Sequence, residues 1–564
     1  MPPIFSIFTP SRHPANQIGY VASTHRYRSD YVNPSGWILN LDASLGLPKS
    51  KNGNVEVPSN ITSFQWVVRQ AQGGFSKTVM KDRTKSEMWK AEVEIPQPGQ
   101  YDITLQVNLT NGQKQIGARA YRLRDFLIVS IGDSFAAGQG NPDIPAIPSP
   151  DEKVFCEATT ILLAITKLKE LVITFAKQLD KEAKQKIEDF LPFVGKIVVA
   201  ELNGVEDAVG FVARGILSLG NIIVGVVKTI DAAVVEGAEV VLDIFGVGDG
   251  GEAEETRPRQ ARWQEPNAYR SYRSGHSLAA GQIESENEFG ADRITFLSFA
   301  RTGSEIQDGL LGPREVDANI IGSALPSVSI DSWIGNRGQV QEAKETLLGR
   351  PINALIITIG VNDLDFSSSV TKSIIWTSAD KRQMRIDETQ EKLRDQLPRD
   401  FNSLKMAIDT QLKPRQVFIT EYPAGLFTKL VNGQVKDGGP CGVLSSTNIP
   451  GTSIGFDLDL EDGKALRRLG KQMNQVIRTK ADEFGWTFIG DIEQAFDGHG
   501  YCASQSYFVS AEESCLKQGD FEGMLHPNKK GHQTTRDCIA RVLRREMLGP
   551  QENWLEPILN IMMS

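Results

Sequence analysis

The chain is poor in cysteine, has no excess of positive charge and contains no CxxC pair. Its 564 residues include five cysteines, which are too few for a disulfide scaffold and lack the spacing of a structural zinc site. The net charge is −9 and the pI is near 5.5, whereas nucleic-acid-binding domains carry a basic stripe. We therefore expect no nucleic-acid partner.

The cysteines leave two redox interpretations open. Cys502 and Cys515 are near enough in sequence to close a small loop, and a disulfide between them would indicate an oxidising compartment. The alternative is a set of free thiols in a reducing cell. Because the number of cysteines is odd, at least one thiol stays unpaired unless two chains are linked.

A secretory signal is also lacking from the sequence pattern. The amino-terminal stretch MPPIFSIFTPSRHPANQIGY has no basic segment followed by an apolar core. An intracellular protein, an unusual export route and a mature sequence with a new methionine are all compatible with it. The localisation is therefore left open at this point.

The region 155–255 is rich in Val, Ile, Ala and Gly but has no long uninterrupted apolar run. Arg214, Asn221, Lys228 and Asp231 break it, so no stretch of about eighteen residues could cross a membrane without burying a polar group. We expect a helical insertion that packs on itself or covers an active site as a lid. Interfacial helices that contact a membrane or lipid surface are the alternative.

Residues from 36 to 124 alternate apolar and polar positions in short runs that are separated by turn sequences. The runs are WILNLDAS, ITSFQWVVR, WKAEVEI, YDITLQVNL and IGARAYRL, and the turns include NPSG, PQPGQ and TNGQ. This spacing predicts short strands, and we assign residues 1–125 to a small β-sandwich.

At Phe126 the pattern changes to continuous apolar runs with helical stretches between them. The runs are FLIVSI, RITFLSF, INALIITI, RQVFITE and WTFIG. Such runs are typical of buried parallel strands. We predict an α/β domain, residues 126–154 and 256–564, whose parallel sheet has helices on both faces and functional loops at the carboxyl ends of its strands.

Three motifs follow predicted strands and could carry chemistry. Ser134, in the sequence Gly-Asp-Ser, could present its hydroxyl and its own N–H to one bound carbonyl. Gly303 could offer a backbone N–H, and Asn362 a side-chain amide, as further oxyanion donors. An ordinary turn glycine and a helix-cap or turn asparagine are the alternatives for these two. The GxSxG elbow of α/β-hydrolases is absent around Ser134.

A fourth motif, His-Pro-Asn-Lys-Lys-Gly-His, precedes a predicted final helix. Its first histidine, His526, is a natural base for a serine hydroxyl near neutral pH. Pro527 would hold it at a corner between loop and helix. His532 falls on the helix, and we expect it to be structural.

In order and spacing, GDSFAAG, the glycine block SFARTG, GVNDLDF and HPNKKGH resemble the SGNH/GDSL hydrolases, in particular secreted bacterial esterases and lipases. The resemblance covers residues 126–160 and 260–547. It implies a three-layer fold and hydrolysis of carboxylic esters of small molecules or lipids through an acyl-enzyme, with no metal or organic cofactor. Ser134 would be the nucleophile and His526 the base, and Ser134, Gly303 and Asn362 would form the oxyanion hole. A secreted or cell-surface location is favoured by the same resemblance.

The acid of the triad departs from the family pattern. The usual acid stands three residues before the histidine, and Gly523 occupies that position here. Asp520 and Glu522 are the nearby candidates. Some of the esterases that the chain resembles use a Ser–His dyad, in which a backbone carbonyl two residues before the histidine accepts the Nδ1 hydrogen. Here that carbonyl belongs to Met524, and a carbonyl can fix the tautomer of the histidine. We favour the dyad.

The amino-terminal strands resemble PKD-type immunoglobulin-like modules, through LDAS, ITSFQWVV and PGQYDITLQVNLTNG. Such modules usually position a neighbouring domain. Two rival functions remain: a polysaccharide deacetylase using the same site, which a stripe of exposed aromatics on this module would favour, and a non-catalytic surface or membrane-interaction protein with a degenerate hydrolase fold. Only the apolar insertion supports the second rival.

Overall fold

The computed structural model describes most of the chain outside the predicted insertion. The described residues are 2–12, 19–149, 153, 156, 258–286, 292–314, 337–364, 386–438, 447–448, 455–456, 460–520 and 522–548. Apart from Cys156, the expectations for the region 155–255 therefore fall outside the described residues. Within the described ranges, no helix has the length and apolarity needed to cross a membrane.

Strands and helices alternate in the second half of the described chain. The strands are β1 Ser6–Phe8, β2 Tyr20–Val21, β3 Arg26–Tyr27, β4 Trp37–Asp42, β5 Ile61–Gln70, β6 Ser76–Asp82, β7 Lys90–Ile95, β8 Gly99–Leu109, β9 Lys114–Gly132, β10 Asp292–Ser298, β11 Ala354–Thr358, β12 Gln416–Thr420, β13 Thr428–Val431, β14 Gln434–Asp437, β15 Thr447–Asn448, β16 Gly455–Phe456 and β17 Thr487–Ile489. The helices are α1 Ser29–Val32, α2 Ser134–Ala137, α3 Gly275–Ser285, α4 Gln339–Leu347, α5 Leu397–Ala407, α6 Leu460–Phe484, α7 Ile492–Phe496, α8 Ala511–Gln518 and α9 Lys529–Leu543.

One eight-stranded sheet carries both a parallel and an antiparallel part. Its path is β17-β12-β11-β9-β8-β5-β6, with β10 also paired to β9. Strands β17, β12, β11, β9 and β10 are parallel to their neighbours in the sheet, whereas β8, β5 and β6 continue it in antiparallel pairs. The mixed α/β fold and the predicted parallel strands are confirmed.

The long strand β9 links the two parts without a break. Its residues 114–123 pair with β8, and its residues 124–132 pair with β10 and β11. Successive side chains of a strand point to opposite faces. Leu127 and Val129 pack in a cluster with α4, α5 and α6, whereas Ile128 packs with α3 and α9. Helices therefore cover both faces of the parallel part, as predicted.

The amino-terminal strands enclose a separate hydrophobic core. A three-stranded sheet, β1-β4-β7, contributes Leu39 and Val93 to the cluster, and β5 and β8 contribute Trp66 and Ile103 from the other sheet. The sequence pattern located β4, β5, β7 and β8. It missed β6, whose sequence SKTVMKD lies largely exposed at the sheet edge, where no apolar alternation is needed.

The segment around α1 covers the open edge of β10. The hydroxyl of Tyr31 lies 3.2 Å from the backbone nitrogen of Phe296, and the hydroxyl of Tyr27 lies 2.7 Å from that of Ser298. Each hydroxyl also donates to the carbonyl of the same residue. Two tyrosine side chains thus pair the backbone groups that an edge strand leaves open.

Both redox interpretations of the cysteines, a bridge between Cys502 and Cys515 and a set of five free thiols, are wrong. Cys515, on α8, is bonded to Cys156, with a Cα–Cα distance of 5.7 Å, and Cys502 is in a different disulfide. The cause is that the chain after α2 returns along α8, where Ala146 N donates to Lys517 O at 2.8 Å. Cys538 is a buried free thiol, in agreement with the odd count.

Candidate active site

Ser134 lies at the carboxyl end of β9, where the strand turns into α2. Asp133 precedes it in an extended conformation, and its Oδ1 accepts a hydrogen bond of 2.9 Å from Phe135 N. Gly132 has a φ of +144°, and a Cβ there would overlap the carbonyl oxygen of Thr358. The serine is therefore held on a tight turn that only glycine permits, with 5% of its surface exposed.

His526 contacts Ser134 directly. Its Nε2 lies 2.9 Å from Ser134 Oγ, and its Nδ1 lies 3.2 Å from the carbonyl oxygen of Met524. If Nδ1 carries the hydrogen and donates to this carbonyl, Nε2 is free to accept the serine proton. The two residues are 392 positions apart in the chain, and the structure brings them together as the sequence analysis predicted.

The loop that carries His526 is fixed by backbone pairing. Leu525 N donates to Val509 O at 3.1 Å, and Val509 N donates to His526 O at 2.8 Å. Leu525 adopts a φ of +67°, which is uncommon for a residue other than glycine. Beyond the loop, Asn528 caps α9 by accepting from two backbone N–H groups.

The surroundings of His526 keep its imidazole neutral. Burial lowers the pKa of His526 to about 4, against an opposing effect of nearby backbone carbonyls, that of Met524 first. The free energy needed to remove a charged imidazolium from water exceeds the stabilisation that those carbonyls provide. At neutral pH the ring can therefore act as a proton acceptor.

The carboxylate of Asp520, one of the two acids considered, has hydrogen-bond partners other than the imidazole. Asp520 Oδ2 accepts a hydrogen bond of 2.7 Å from the hydroxyl of Tyr269, and Oδ1 accepts from Gln518 Nε2 at 2.7 Å and from Glu522 N at 2.9 Å. Both nitrogens of His526 already face other partners. The Asp520 carboxylate is therefore bound to Tyr269, Gln518 and the backbone N–H of Glu522.

Gly303 and Asn362 lie side by side beyond the ends of β10 and β11. Gly303 has a φ of +66°, and the guanidinium of Arg314 fills the space that a side chain would need. Asn362 is 3% exposed, and its Nδ2 donates to Ser304 O at 2.8 Å. One hydrogen of this amide is used on the turn, which leaves the other for a ligand.

The turn that carries Gly303 is joined to the serine strand. Phe299 N donates to Ser130 O at 2.8 Å, and Arg301 N donates to Gly132 O at 3.1 Å. The ladder between β9 and β10 thus continues past the end of β10. The nucleophile turn and the glycine turn meet at the same edge of the sheet, where functional loops were predicted.

Sequence analysis missed three buried polar residues around these turns. Gln139 and Gln339 join neighbouring loops, and the hydroxyl of Tyr422 donates to Asp133 Oδ2. Burial raises the pKa of Asp133 to about 7, although that hydrogen bond opposes the shift. Gln139 directly follows GDSFAAG, so its place at the end of that motif was a usable signal. The other two are far from any motif.

The described residues contain no group of three or more His, Cys, Asp or Glu side chains placed to hold a metal ion. The arrangement present is instead a serine hydroxyl, a neutral imidazole and amide donors on adjacent turns. Such a set can activate a nucleophile and hold a developing negative charge on oxygen.

No protein-family model matches the chain, and no curated protein matches it in sequence. Among solved structures, an extracellular lipase from Streptomyces rimosus is similar at 19% identity and a TM-score of 0.33, over 53% of this chain and 94% of the lipase. Phospholipase A1 from Streptomyces albidoflavus gives 17% identity and a TM-score of 0.31, over 53% and 93%. A family two carbohydrate esterase from Clostridium thermocellum gives 10% identity and a TM-score of 0.27, over 96% and 98%.

Proposed function

We propose that the protein is a serine ester hydrolase of the SGNH/GDSL kind, an esterase or lipase that cleaves carboxylic esters through an acyl-enzyme. The observation that carries the proposal is the pair of distances around His526: 2.9 Å from Nε2 to Ser134 Oγ and 3.2 Å from Nδ1 to Met524 O. A serine hydroxyl needs an adjacent base to act as a nucleophile, and the base needs a fixed tautomer. One histidine meets both needs here.

The reaction begins when His526 Nε2 takes the hydroxyl proton as Ser134 Oγ attacks the ester carbonyl carbon. The carbonyl oxygen becomes an oxyanion, and collapse of the tetrahedral intermediate expels the alcohol. His526 gives its proton to that alcohol. Water then attacks the acyl-enzyme with His526 again as base, and the acid is released. The Met524 carbonyl keeps the Nδ1 hydrogen in place throughout.

Three groups hold the oxyanion in this proposal: the backbone N–H groups of Ser134 and Gly303 and the Nδ2 of Asn362. The support for them is their common location beyond the ends of three parallel strands, together with the hydrogen bond of 2.8 Å from Asn362 to the carbonyl that follows Gly303. Preorganised donors of this kind stabilise charge as it develops.

The proposal divides the chain into a PKD-like β-sandwich module, residues 1–125, a hydrolase domain, residues 126–154 and 256–564, and a helical insertion, 155–255, that acts as a lid or contacts a lipid surface. The separate hydrophobic cluster of the β-sandwich strands supports the module. Tyr31 and Val32, although they belong to residues 1–125, pack instead in the cluster on one face of the parallel sheet. The disulfide between Cys156 and Cys515 supports a secreted or cell-surface location.

A sugar-recruiting role of the module has less support. The aromatic side chains of residues 36–124 are buried or half-buried in its core; they are Trp37, Phe64, Trp66, Phe75, Trp89, Tyr101 and Tyr121. A carbohydrate-binding surface would expose such rings in a row. We therefore place simple esters or lipids ahead of acetylated polysaccharide as substrates.

The test is hydrolysis of p-nitrophenyl esters of graded acyl length by the wild type and by Ser134→Ala. We expect the wild type to turn over these esters and the variant to lose turnover with its circular dichroism unchanged. A fluorophosphonate should label the wild type at Ser134 alone. Labelling of another serine, or full turnover by the variant, would overturn the proposal.

A further inference from the structure

Gln339 is a fully buried residue at the start of α4, and every hydrogen-bonding group of its side chain is engaged. Its Oε1 accepts from Gly132 N at 2.8 Å, and its Nε2 donates to Gly132 O at 2.8 Å and to Ser304 Oγ at 2.9 Å. One carboxamide therefore joins the residue two positions before Ser134 to the residue directly after Gly303.

The backbone that carries this side chain is also fixed. Gln339 N donates to Gly309 O at 2.9 Å, and the next N–H in α4 donates to Leu310 O at 3.1 Å. A Cβ on Gly338 would lie 2.6 Å from Leu310 O and 2.5 Å from Leu311 O, so the helix can start this close to the loop only with glycine there. The carboxamide thus extends from a backbone position that cannot shift freely.

Ser304 connects Gln339 to the remaining oxyanion donor. Its hydroxyl accepts from Gln339, and its carbonyl accepts from Asn362 Nδ2 at 2.8 Å. Ser304 is fully buried, so no water competes for these bonds. The nucleophile turn, the glycine turn and Asn362 are therefore joined through two side chains.

We propose that Gln339 is a positioning residue that sets the spacing between the Ser134 N–H and the donors on the glycine turn. This inference rests on the proposed ester hydrolase function. Oxyanion donors act only at hydrogen-bond distance from the developing charge, and a displacement of 1 Å can cost about 10²-fold in rate. Gln339 itself does not touch the substrate.

The test compares Gln339→Met with Gln341→Met. Methionine matches glutamine in length but offers no amide. Gln341 lies on the same helix with an exposed side chain, whose amide donates to Glu345 Oε1 at 3.0 Å, and serves as the matched control. We would measure kcat and KM for p-nitrophenyl butyrate and the rate of Ser134 labelling by a fluorophosphonate, at a temperature where all variants are folded.

We expect Gln339→Met to lower kcat about 10- to 100-fold with KM changed by less than about threefold. The labelling rate should fall in parallel, because the phosphoryl oxygen occupies the same hole. Gln341→Met should match the wild type. A purely structural glutamine would lower the melting temperature and leave kcat unchanged, and that result would overturn the inference.

A milder variant keeps the test decisive if Gln339→Met does not fold. Ser304→Ala removes one acceptor of the Gln339 amide, and the loss of one neutral hydrogen bond predicts a fall in kcat of about two- to tenfold. An unchanged kcat in Ser304→Ala would then overturn the inference. Absence of hydrolysis and of Ser134 labelling in the wild type would instead overturn the proposed function, and the inference with it.

Discussion

The hydroxyl of Tyr269 lies 2.7 Å from Oδ2 of Asp520 and donates a hydrogen bond to it. Burial raises the pKa of Asp520, and this hydrogen bond partly offsets the effect. The carboxylate that stands six residues before His526 is thus turned toward a tyrosine and away from the imidazole. This orientation bears directly on whether the site works as a dyad or a triad.

For the dyad, we expect Asp520→Asn and Glu522→Gln to keep most of the turnover, because the Met524 carbonyl orients His526. His526→Ala should remove turnover, because no other base reaches Ser134 Oγ in the described structure. Loss of the acid in a true triad costs about 10⁴ in turnover. A fall of a thousandfold or more in either carboxylate variant, with an unchanged fold, would reveal a displaced triad.

Asn362→Ala separates an oxyanion donor from a structural asparagine. As a donor, Asn362 should contribute about 10²–10³ in kcat. An asparagine that only bonds the Ser304 carbonyl should instead lower stability by about 1 kcal/mol and leave kcat near normal. The measurement is kcat beside the melting temperature, and a lowered melting temperature with a normal kcat would refute the catalytic role.

As the pH is lowered, activity should be lost only below the pH range in which histidines usually titrate. Burial lowers the pKa of His526 to about 4, so the free enzyme keeps its base unprotonated at pH 6 and loses it as the pH falls toward 4. The profile of kcat/KM against pH reports this group. A midpoint at or above 6.5 would contradict the buried, neutral imidazole.

The same acid range should reduce stability, through three histidines. The pKa values of His276, His526 and His532 are lowered to about 3, 4 and 4 by burial. Between pH 4 and 6.5 the unfolded chain binds protons that the folded one does not, so stability falls as the pH is lowered through this window. Activity should therefore be measured well below the melting temperature at each pH.

Asp363 should have the opposite effect, as the pH rises from 4 to 8. Burial raises its pKa to about 8, one oxygen accepts from Ile306 N at 2.9 Å, and Oδ2 has no partner in the part of the chain that the structure describes. The folded carboxyl holds a proton that the unfolded one releases above pH 4, so its stabilising effect is lost as the pH rises toward 8.

We expect Asp363→Asn to flatten this dependence, because the amide stays neutral and keeps an acceptor for Ile306. The melting temperature of the wild type should fall more than that of the variant between pH 5 and 9. Equal slopes in the two proteins would show that the carboxyl does not titrate in this range.

The insertion can be tested by replacing residues 157–255 with a short loop, which retains Cys156 and its bond to Cys515. A lid or docking segment predicts preserved folding and preserved hydrolysis of small soluble esters, with altered activity on long-chain or aggregated substrates. A matched variant would carry the same loop with both cysteines changed to alanine. Failure of the first variant to fold would assign the insertion to the core.

The parallel strands and the order of the site motifs could be predicted because both depend on local sequence. FLIVSI and INALIITI are buried on both faces and therefore read as continuous apolar runs. The contact between Ser134 and His526 followed from the resemblance of the motifs. Gln339 could not be found this way, because its role depends on where α4 begins relative to two distant turns.

The disulfide pairing likewise could not be predicted from the sequence. The proximity of Cys502 and Cys515 in sequence suggested a local bridge, but Cys515 pairs with a residue 359 positions away. Two cysteines that are far apart in sequence can pair when the fold places a returning segment beside a helix. The direction of that return depends on tertiary contacts such as the one between Ala146 and Lys517.

The tyrosines that cover β10 have a practical consequence for dividing the protein. A fragment that starts at Phe126 would contain every proposed catalytic residue but would lack Tyr27 and Tyr31. The N–H and C=O groups of Phe296 and the N–H group of Ser298 would lose these partners, whereas the Ser298 carbonyl would keep its hydrogen bond from Arg270. Open strand edges recruit strands from other molecules. Such a fragment should associate with itself through β10, so the smallest monomeric form of this protein should keep a segment that lies about one hundred residues before Ser134.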